Sequence, residues 1–351
     1  MANKDWFLVL LLGLFWGSSF FFVEVLLEYL SPFIIVYLRV CIASIFLIFF
    51  VIIRQIKFQL NLRTFFNLFI MSLLNNIFPF LFITFGQQTT TGGLASILNA
   101  NTSFVAIILA ALFLPAERLN LHRLIGILIG ILGVVIAIGY KNIFELGNDD
   151  LGKYLIIIAT ISYGFAGVWG KLRLDNLSPI IAATGMLTLS TLILTPYAIS
   201  NHFYEIYTFN IYILSYALAF AVICSVFAYF LYFKILESAG AGNLLICTII
   251  IPPSSIFLNA FFLNQSITLN EYLGLLIILL GLIMLVGMLL IKIILFFLYL
   301  LKLLPSFQHL IRNPSHNNFI AIICNCMLKS NRTFFWIFRR FFCFNYFNFS
   351  F

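Results

Sequence analysis

The sequence predicts an all-α membrane protein: ten transmembrane helices arranged as two inverted five-helix repeats, with the N- and C-termini both cytoplasmic. Three observations carry this expectation. Hydrophobic residues make up 63% of the chain and charged residues only 9%, where a soluble globular chain carries about a quarter charged. The apolar residues fall into ten continuous runs of roughly 20 residues, the length a helix needs to cross about 30 Å of hydrocarbon. The motifs of the first half also recur, in order, 147 or 148 residues later.

A soluble fold still needs a mostly polar skin, and 351 residues of this composition cannot supply one. Lipid removes that requirement. Barrel strands are excluded because they would alternate apolar and polar residues over about ten positions, whereas these runs are apolar throughout. Within hydrocarbon a helix satisfies its backbone hydrogen bonds inside its own segment.

The first run, 6–27, is too long for a signal-peptide core and has no small-residue cleavage site behind it. It carries Trp16 and, near its outer end, Glu24. The second, 33–53, holds Arg39 about six residues in. Asn75 and Asn76 lie mid-span in the third, 65–85. The fourth, 92–114, contains Asn99, Asn101, Thr102 and Ser103, four polar residues within five positions. In the fifth, 121–139, Gly126, Gly130 and Gly133 suit close helix packing, within the chain or across a homodimer. The sixth, 153–172, carries Tyr163 and Trp169 and ends at Lys171; the seventh is 179–199. Tyr229 lies in the eighth, 211–233, and Pro252-Pro253 interrupts and kinks the ninth, 243–263. The tenth is 271–290.

The loops orient the bundle. With a cytoplasmic N-terminus, the cytoplasmic segments hold Lys4, Arg54, Lys57, Arg63, Arg118, Arg123, Lys171, Arg173, Lys234 and Lys292. The external loops hold only Lys141 and Lys153. This is a strong positive-inside bias.

The repetition defines the domains. Trp16-Gly17 is matched by Tyr163-Gly164, and Leu30-Ser31-Pro32 by Leu177-Ser178-Pro179, both 147 residues on. From there the offset becomes 148, relating Phe82 to Phe230, Phe85 to Phe233, Gly92 to Gly240, Gly126 to Gly274 and Gly133 to Gly281. One repeat occupies 4–140 and the other 151–290. Five spans per half place the second half upside down relative to the first. Inverted repeats of this kind hold a substrate near the midplane and expose it alternately to either side.

The run Trp16-Gly17-Ser18-Ser19-Phe20, then Leu30-Ser31-Pro32-Phe33 and Arg39, resembles the opening of an EamA domain of the drug/metabolite transporter superfamily. Ala95-Ser96-Ile97-Leu98-Asn99-Ala100, followed by Leu114-Pro115-Ala116-Glu117-Arg118 and Gly126…Gly133, resembles its close. The second half resembles the same domain more weakly. The resemblance covers about residues 4–290. It implies ten helices, a central cavity, a bacterial inner-membrane location, and export or exchange of amino acids or other small metabolites. Three positions depart from the family pattern. Glu24 stands where lysine is usual, Ser103 where proline is usual, and Gln265 at the second-half counterpart of Glu117.

Charge within hydrocarbon is costly and faces a bundle interior or a cavity. Glu24 and Arg39 are therefore gate candidates, expected to pair at the external mouth unless both snorkel to the interface. Lys171, the repeat counterpart of Glu24, is the candidate at the cytoplasmic mouth. Asn75, Asn76, Asn99, Asn101 and Thr102 are candidates for lining the substrate pathway, against a plainer role in interhelical hydrogen bonding. Trp16, Tyr163 and Tyr229 join them because each offers a polar handle in or near a span. Pro252 and Pro253 are hinge candidates.

The sequence shows no catalytic constellation, no phosphate-cradling glycine loop and no metal-ligand spacing, so neither an enzyme nor a cofactor is expected. Six cysteines show no paired framework; Cys41, Cys224 and Cys247 lie within spans. The expected partners are a small-molecule substrate and the lipid bilayer. Nucleic acid is not expected, because the net charge of +8 belongs to the tail: residues 291–351 carry seven basic residues and no acid. That tail is Phe-rich and without steady periodicity, and no transport role is expected of it. The competing readings are a non-transporting membrane scaffold or regulator, and an uptake carrier for a nucleotide-like metabolite.

Overall fold

The computed structural model describes residues 3–56, 61–115, 117, 119–139, 151–207, 209–244 and 246–286. Among these residues every regular element is helical, in the chain order α1 (Asn3–Leu27), α2 (Pro32–Ile53), α3 (Leu62–Ser72), a π-helical turn (Leu73–Ile77), α4 (Phe78–Gly86), α5 (Gly92–Asn99), α6 (Thr102–Phe113), α7 (Leu121–Ile138), α8 (Leu151–Arg173), α9 (Pro179–Tyr207), α10 (Ile211–Ala221), a second π turn (Val222–Phe227), α11 (Ala228–Leu244), α12 (Cys247–Leu263) and α13 (Leu269–Val286). The tail at 291–351, with its Cys324 and Cys326, lies outside the described residues, as do Lys57, Arg118, Lys141 and Lys292.

Among the described residues, eight helical segments are long and apolar enough to cross a membrane: Lys4–Leu27, Pro32–Ile53, Leu62–Gly86, Gly92–Phe113, Leu121–Ile138, Leu151–Arg173, Pro179–Asn201 and Ile211–Ala239. Two shorter apolar helices, Cys247–Leu263 and Leu269–Leu285, follow. The outward faces are as apolar as the core: Ile52 is 66% exposed and Leu192 62%. Water would not tolerate such a surface, whereas lipid chains solvate it.

Helix starts follow local chemistry. Pro32 opens α2 at a position where a missing N–H costs nothing. Asn61, Thr91, Asn120 and Asn210 each accept a hydrogen bond from the backbone N–H three residues on, capping α3, α5, α7 and α10.

Packing is closest where side chains are absent. Helix α7 lies against α13, with Gly126 facing Gly281 and Gly133 facing Gly274. A Cβ at Gly281 would stand 2.7 Å from the Gly126 carbonyl oxygen, and one at Gly133 would stand 2.9 Å from that of Gly274. Gly130 is filled by the Phe104 ring. The small-residue face of α7 is thus occupied inside the chain. Helix α1 packs on α12, and α8 on both α6 and α4. Helices α2 and α9 also pack together, joined by a hydrogen bond from Thr191 Oγ1 to Ser44 Oγ at 3.3 Å, 147 positions apart in the chain.

Two spans differ from the expected form. The fourth is broken at Ala100-Asn101 into α5 and α6, bridged by three-residue hydrogen bonds such as Asn101 N–H to Leu98 C=O and Phe104 N–H to Asn101 C=O. The prolines expected to interrupt the ninth span instead lie inside the continuous helix α12. Both rings are buried, and Gly17 of α1 approaches the same stretch, where a Cβ would lie 2.7 Å from the Ile251 carbonyl oxygen. A neighbouring helix that packs this closely holds the segment helical despite the two missing donors.

Candidate functional site

Two π turns, one in the third span and one in the eighth, carry polar residues into the bundle. Each inserts one extra residue into a helix, which rotates the side chains that follow and leaves local backbone geometry found often at functional sites. The first carries Asn75 and Asn76, and the second carries Cys224 and Ser225. Arg39 of α2 reaches Ser225 of the second turn.

The Arg39 guanidinium is held by aromatic faces and a hydroxyl. Its Cζ lies 3.8 Å from the centroid of Phe80 and 4.7 Å from that of Phe220, distances that suit cation–π attraction. Its Nε donates to Ser225 Oγ at 3.1 Å. The titratable groups close enough to interact with it are Tyr163, Cys224 and Tyr229. No carboxylate is among them. A positive charge inside the bundle therefore stands without an acidic partner among the described residues.

Polar groups surround this charge. Asn75 Nδ2 donates toward Tyr229 Oη at 3.4 Å and lies 3.6 Å from Met186 Sδ. Asn76 is wholly buried, and its Nδ2 donates to Ser190 Oγ at 3.2 Å. The two asparagines thus differ: Asn75 is partly accessible beside Tyr229, whereas Asn76 is tied into the contact between the third and seventh spans. Trp16 packs its ring 6.0 Å from that of Tyr232.

A second polar group lies at the break in the fourth span. Thr102 Oγ1 donates to Asn99 Oδ1 at 3.4 Å, and Ser103 hydrogen-bonds Thr248 of α12 at 3.1 Å. Asn101 Oδ1 is buried without a hydrogen-bond partner. A broken helix with free polar groups is the form that membrane carriers use to line a substrate path.

The expected Glu24–Arg39 pair does not form. Arg39 lies two turns inside α2, about 10 Å along the helix from Pro32, on the face toward Phe80 and Phe220. Glu24 instead accepts hydrogen bonds from Gln265 Nε2 at 2.7 Å and Gln87 Nε2 at 3.3 Å. The two side chains take different partners. Lys171 also departs from the expected gate: it is exposed and pairs with Asp175 one turn on at 3.0 Å. Trp169 is structural, donating from Nε1 to the Asn67 carbonyl oxygen at 3.1 Å. Pro252 and Pro253 are buried against α1 and stand within a continuous helix.

Sequence reasoning missed Phe80, Phe220 and Ser225 around Arg39, and Ser190 beside Asn76. Phenylalanine is too abundant here for any one ring to stand out, with 43 in the chain. Ser225 carries no signal until the π turn aims it inward.

Comparison with known proteins places this architecture. The model of the EamA-like transporter family matches residues 4–139 and again 150–287. An uncharacterized transporter of Archaeoglobus fulgidus is 25% identical over 281 residues, spanning 79% of this chain and 97% of that protein. The uncharacterized transporter YetK of Bacillus subtilis is 27% identical, over 74% of this chain and 79% of its own. A probable amino-acid metabolite efflux pump of Salmonella typhimurium is 30% identical over 57% of this chain and 64% of that protein. A solved crystal structure shares the fold with a TM-score of 0.60 at 15% identity, covering 81% of this chain and 96% of that one. The family and these relatives are transporters and not enzymes. The chain belongs to the EamA-like transporter family of multi-pass membrane proteins.

Proposed function

We propose that the protein is a secondary transporter of small metabolites carrying an anionic head group, amino acids or close relatives of them, which it exports or exchanges by alternating access. The observation that carries this reading is Arg39. A guanidinium inside the bundle, stacked on two rings and bonded to one hydroxyl, keeps donors to spare and has no acidic partner among the described residues. A substrate carboxylate would supply the missing charge and accept two parallel hydrogen bonds from the guanidinium. Asn75, Tyr163 and Tyr229 would receive the rest of the molecule. Asn99, Asn101 and Thr102, at the broken helix, would line its path, with Trp16 beside it.

The reading includes ten spans in two inverted halves, with residues 4–140 and 151–290 as the repeats. Contacts between residues one repeat apart support it. A two-fold relation brings some residues face to face with their own counterparts, as Ser44 and Thr191 are. The same relation exchanges the Gly126–Gly281 contact with the Gly133–Gly274 contact. Both contacts require α7 and α13 to run antiparallel, as inverted halves demand. The first π turn also overlaps the second once 148 positions are added. The charge distribution favours cytoplasmic termini, and the inner membrane is the proposed location. One relative is named an uncharacterized inner membrane transporter, YedA of Escherichia coli, and the Salmonella relative's name favours export of amino-acid metabolites.

The test is counterflow in proteoliposomes holding the full chain. Vesicles preloaded with unlabelled amino acids and related carboxylates are given labelled tracer outside. Accumulation of one class, lost in Arg39→Ala, supports the reading. Absence of flux for every compound, from protein shown to be folded, overturns it in favour of a scaffold.

A further inference from the structure

At the end of the bundle where α1, α4 and α12 finish, three amide oxygens and one carboxylate are gathered with no cation among them. Glu24 is the carboxylate. Gln265 Nε2 donates to its Oε1 at 2.7 Å, Gln87 Nε2 to its Oε2 at 3.3 Å, and the Gly92 N–H adds a further bond. Both carboxylate oxygens act as acceptors, which the ionised form satisfies. The charged group interacting with it is Glu28, which has the same sign.

The amides that serve Glu24 leave their oxygens unpartnered. Gln87 Oε1, Gln265 Oε1 and Asn259 Oδ1 are buried and accept no hydrogen bond. Gln87 is 4% exposed and Asn259 1%. Turning the amides round would not relieve this. Gln87 Nε2 also donates to the Phe20 carbonyl oxygen at 2.9 Å, and Asn259 Nδ2 donates to that of Ser255 at 2.8 Å. A flip would set oxygen against oxygen at each place. Nitrogen and oxygen of one amide are about 2.3 Å apart by covalent geometry, so the free oxygens of Gln87 and Gln265 lie at most about 5–6 Å from the carboxylate.

Asn259 closes the group over Gly92. A Cβ at Gly92 would stand 2.9 Å from Asn259 Nδ2 and 3.0 Å from both Asn259 Oδ1 and the Phe20 carbonyl oxygen, so a side chain there would press on the Asn259 amide. A cavity of about 10 Å³ adjoins, lined by Asn259, Gln265, Thr91, Ser266 and Glu271 among others. Glu271 is occupied separately, accepting from the Thr268 N–H at 3.0 Å with Lys153 in electrostatic reach. The uncompensated charge is that of Glu24.

We propose that Glu24, Gln87, Asn259 and Gln265 form a binding site for a monovalent alkali cation, with Na⁺ the expected occupant. The donor set consists of hard oxygens, which select alkali and alkaline-earth ions over softer metals. One carboxylate among neutral amides matches a single positive charge, whereas Ca²⁺ sites draw on several carboxylates. Buried acceptors that a water-poor interior leaves unpaired are each costly, and one small cation would satisfy all of them. The site joins the first, third and ninth spans and the loop after the ninth, so occupancy would tie elements of the two halves together. Its use in coupling rests on the transport reading above, but cation binding does not.

The test reads binding without flux. Full-length protein in detergent is melted in NaCl, KCl, CaCl₂ and choline chloride at constant ionic strength. A saturable rise in unfolding temperature with NaCl or KCl, absent with choline, is expected. Glu24→Gln keeps the shape of the side chain and should weaken the response at least about tenfold, a loss of ~1.4 kcal/mol. Gln265→Glu adds a second carboxylate and should move the preference toward Ca²⁺. Arg39→Ala should keep the wild-type Na⁺ response, so failure of the substrate reading leaves this one standing. Equal stability in all four salts overturns the proposal, as does a full Na⁺ response in Glu24→Gln. Stability that follows pH and ignores alkali cations overturns it in favour of a protonated Glu24.

Discussion

Arg39 and Phe80 form a cation–π pair, with the guanidinium carbon 3.8 Å from the ring centroid, in a region where the charge meets no acid among the described residues. The rings and the Nε bond to Ser225 keep the guanidinium plane fixed while leaving its two terminal nitrogens to bind, which is how a binding group is pre-organised for a planar anion. Lysine would keep the charge but lose the planar fork. Arg39→Lys is therefore expected to fold and to lose transport by roughly tenfold to a hundredfold, the ~1.5–3 kcal/mol of a charge-assisted hydrogen bond. Counterflow against the same preloaded substrate measures it.

The neighbouring asparagines should separate on mutation. Asn76 is wholly buried and bonded to Ser190, whose hydroxyl keeps a second bond to the Met186 carbonyl oxygen at 2.7 Å. Interhelical hydrogen bonds of this kind average about 0.6 kcal/mol, so Asn76→Leu should barely move the unfolding temperature. Asn75, partly accessible beside Tyr229, should differ in transport: Asn75→Leu also leaves stability near wild type but weakens substrate affinity severalfold, which Asn76→Leu should not. Melting curves and transport KM together decide it.

The glycine contact between α7 and α13 should be intolerant of any side chain. A Cβ at Gly281 meets the backbone of Gly126 and Gly130, which cannot turn aside as a side chain does. Gly281→Val is expected to cost more than the ~1–3 kcal/mol of ordinary overpacking. The result should be a lower unfolding temperature and poor membrane yield. By contrast, Gly167, where a Cβ would meet nothing within 4 Å, should accept alanine without loss.

Topology is open to direct measurement. In a background without native cysteines, Arg63→Cys on the exposed start of α3 should react only with reagent admitted to the cytoplasmic side. Ser266→Cys, exposed in the loop after α12, should react only from the outside. The reverse pattern would remove the cytoplasmic placement of the termini and, with it, the assignment of Glu24 to the external end.

Much of this protein was legible in one dimension because lipid imposes a simple demand. Each crossing must be apolar and must close its own hydrogen bonds, so helical spans are written as runs of Ile, Leu and Phe. Basic residues must stay where they cannot be dragged across, so Arg54, Arg63, Arg123 and Arg173 mark one side. The glycines at 126, 130 and 133 could be read as packing points, though not that Gly126 would meet Gly281 and Gly133 would meet Gly274. The sequence determined the helical class and the family, and singled out the polar residues within the spans.

What only the tertiary structure decided is which of those polar residues meet. Position along a helix does not specify its face, and two π turns shift the face within the third and eighth spans without any residue announcing it. Hence Glu24 and Arg39, expected as a pair, part company. Arg39 turns to Phe80, Phe220 and Ser225, while Glu24 turns to Gln87 and Gln265. Partners that lie 41 to 241 positions away are chosen by helix packing, because in a medium that offers no hydrogen bonds each polar group must take whichever neighbour the fold brings within reach.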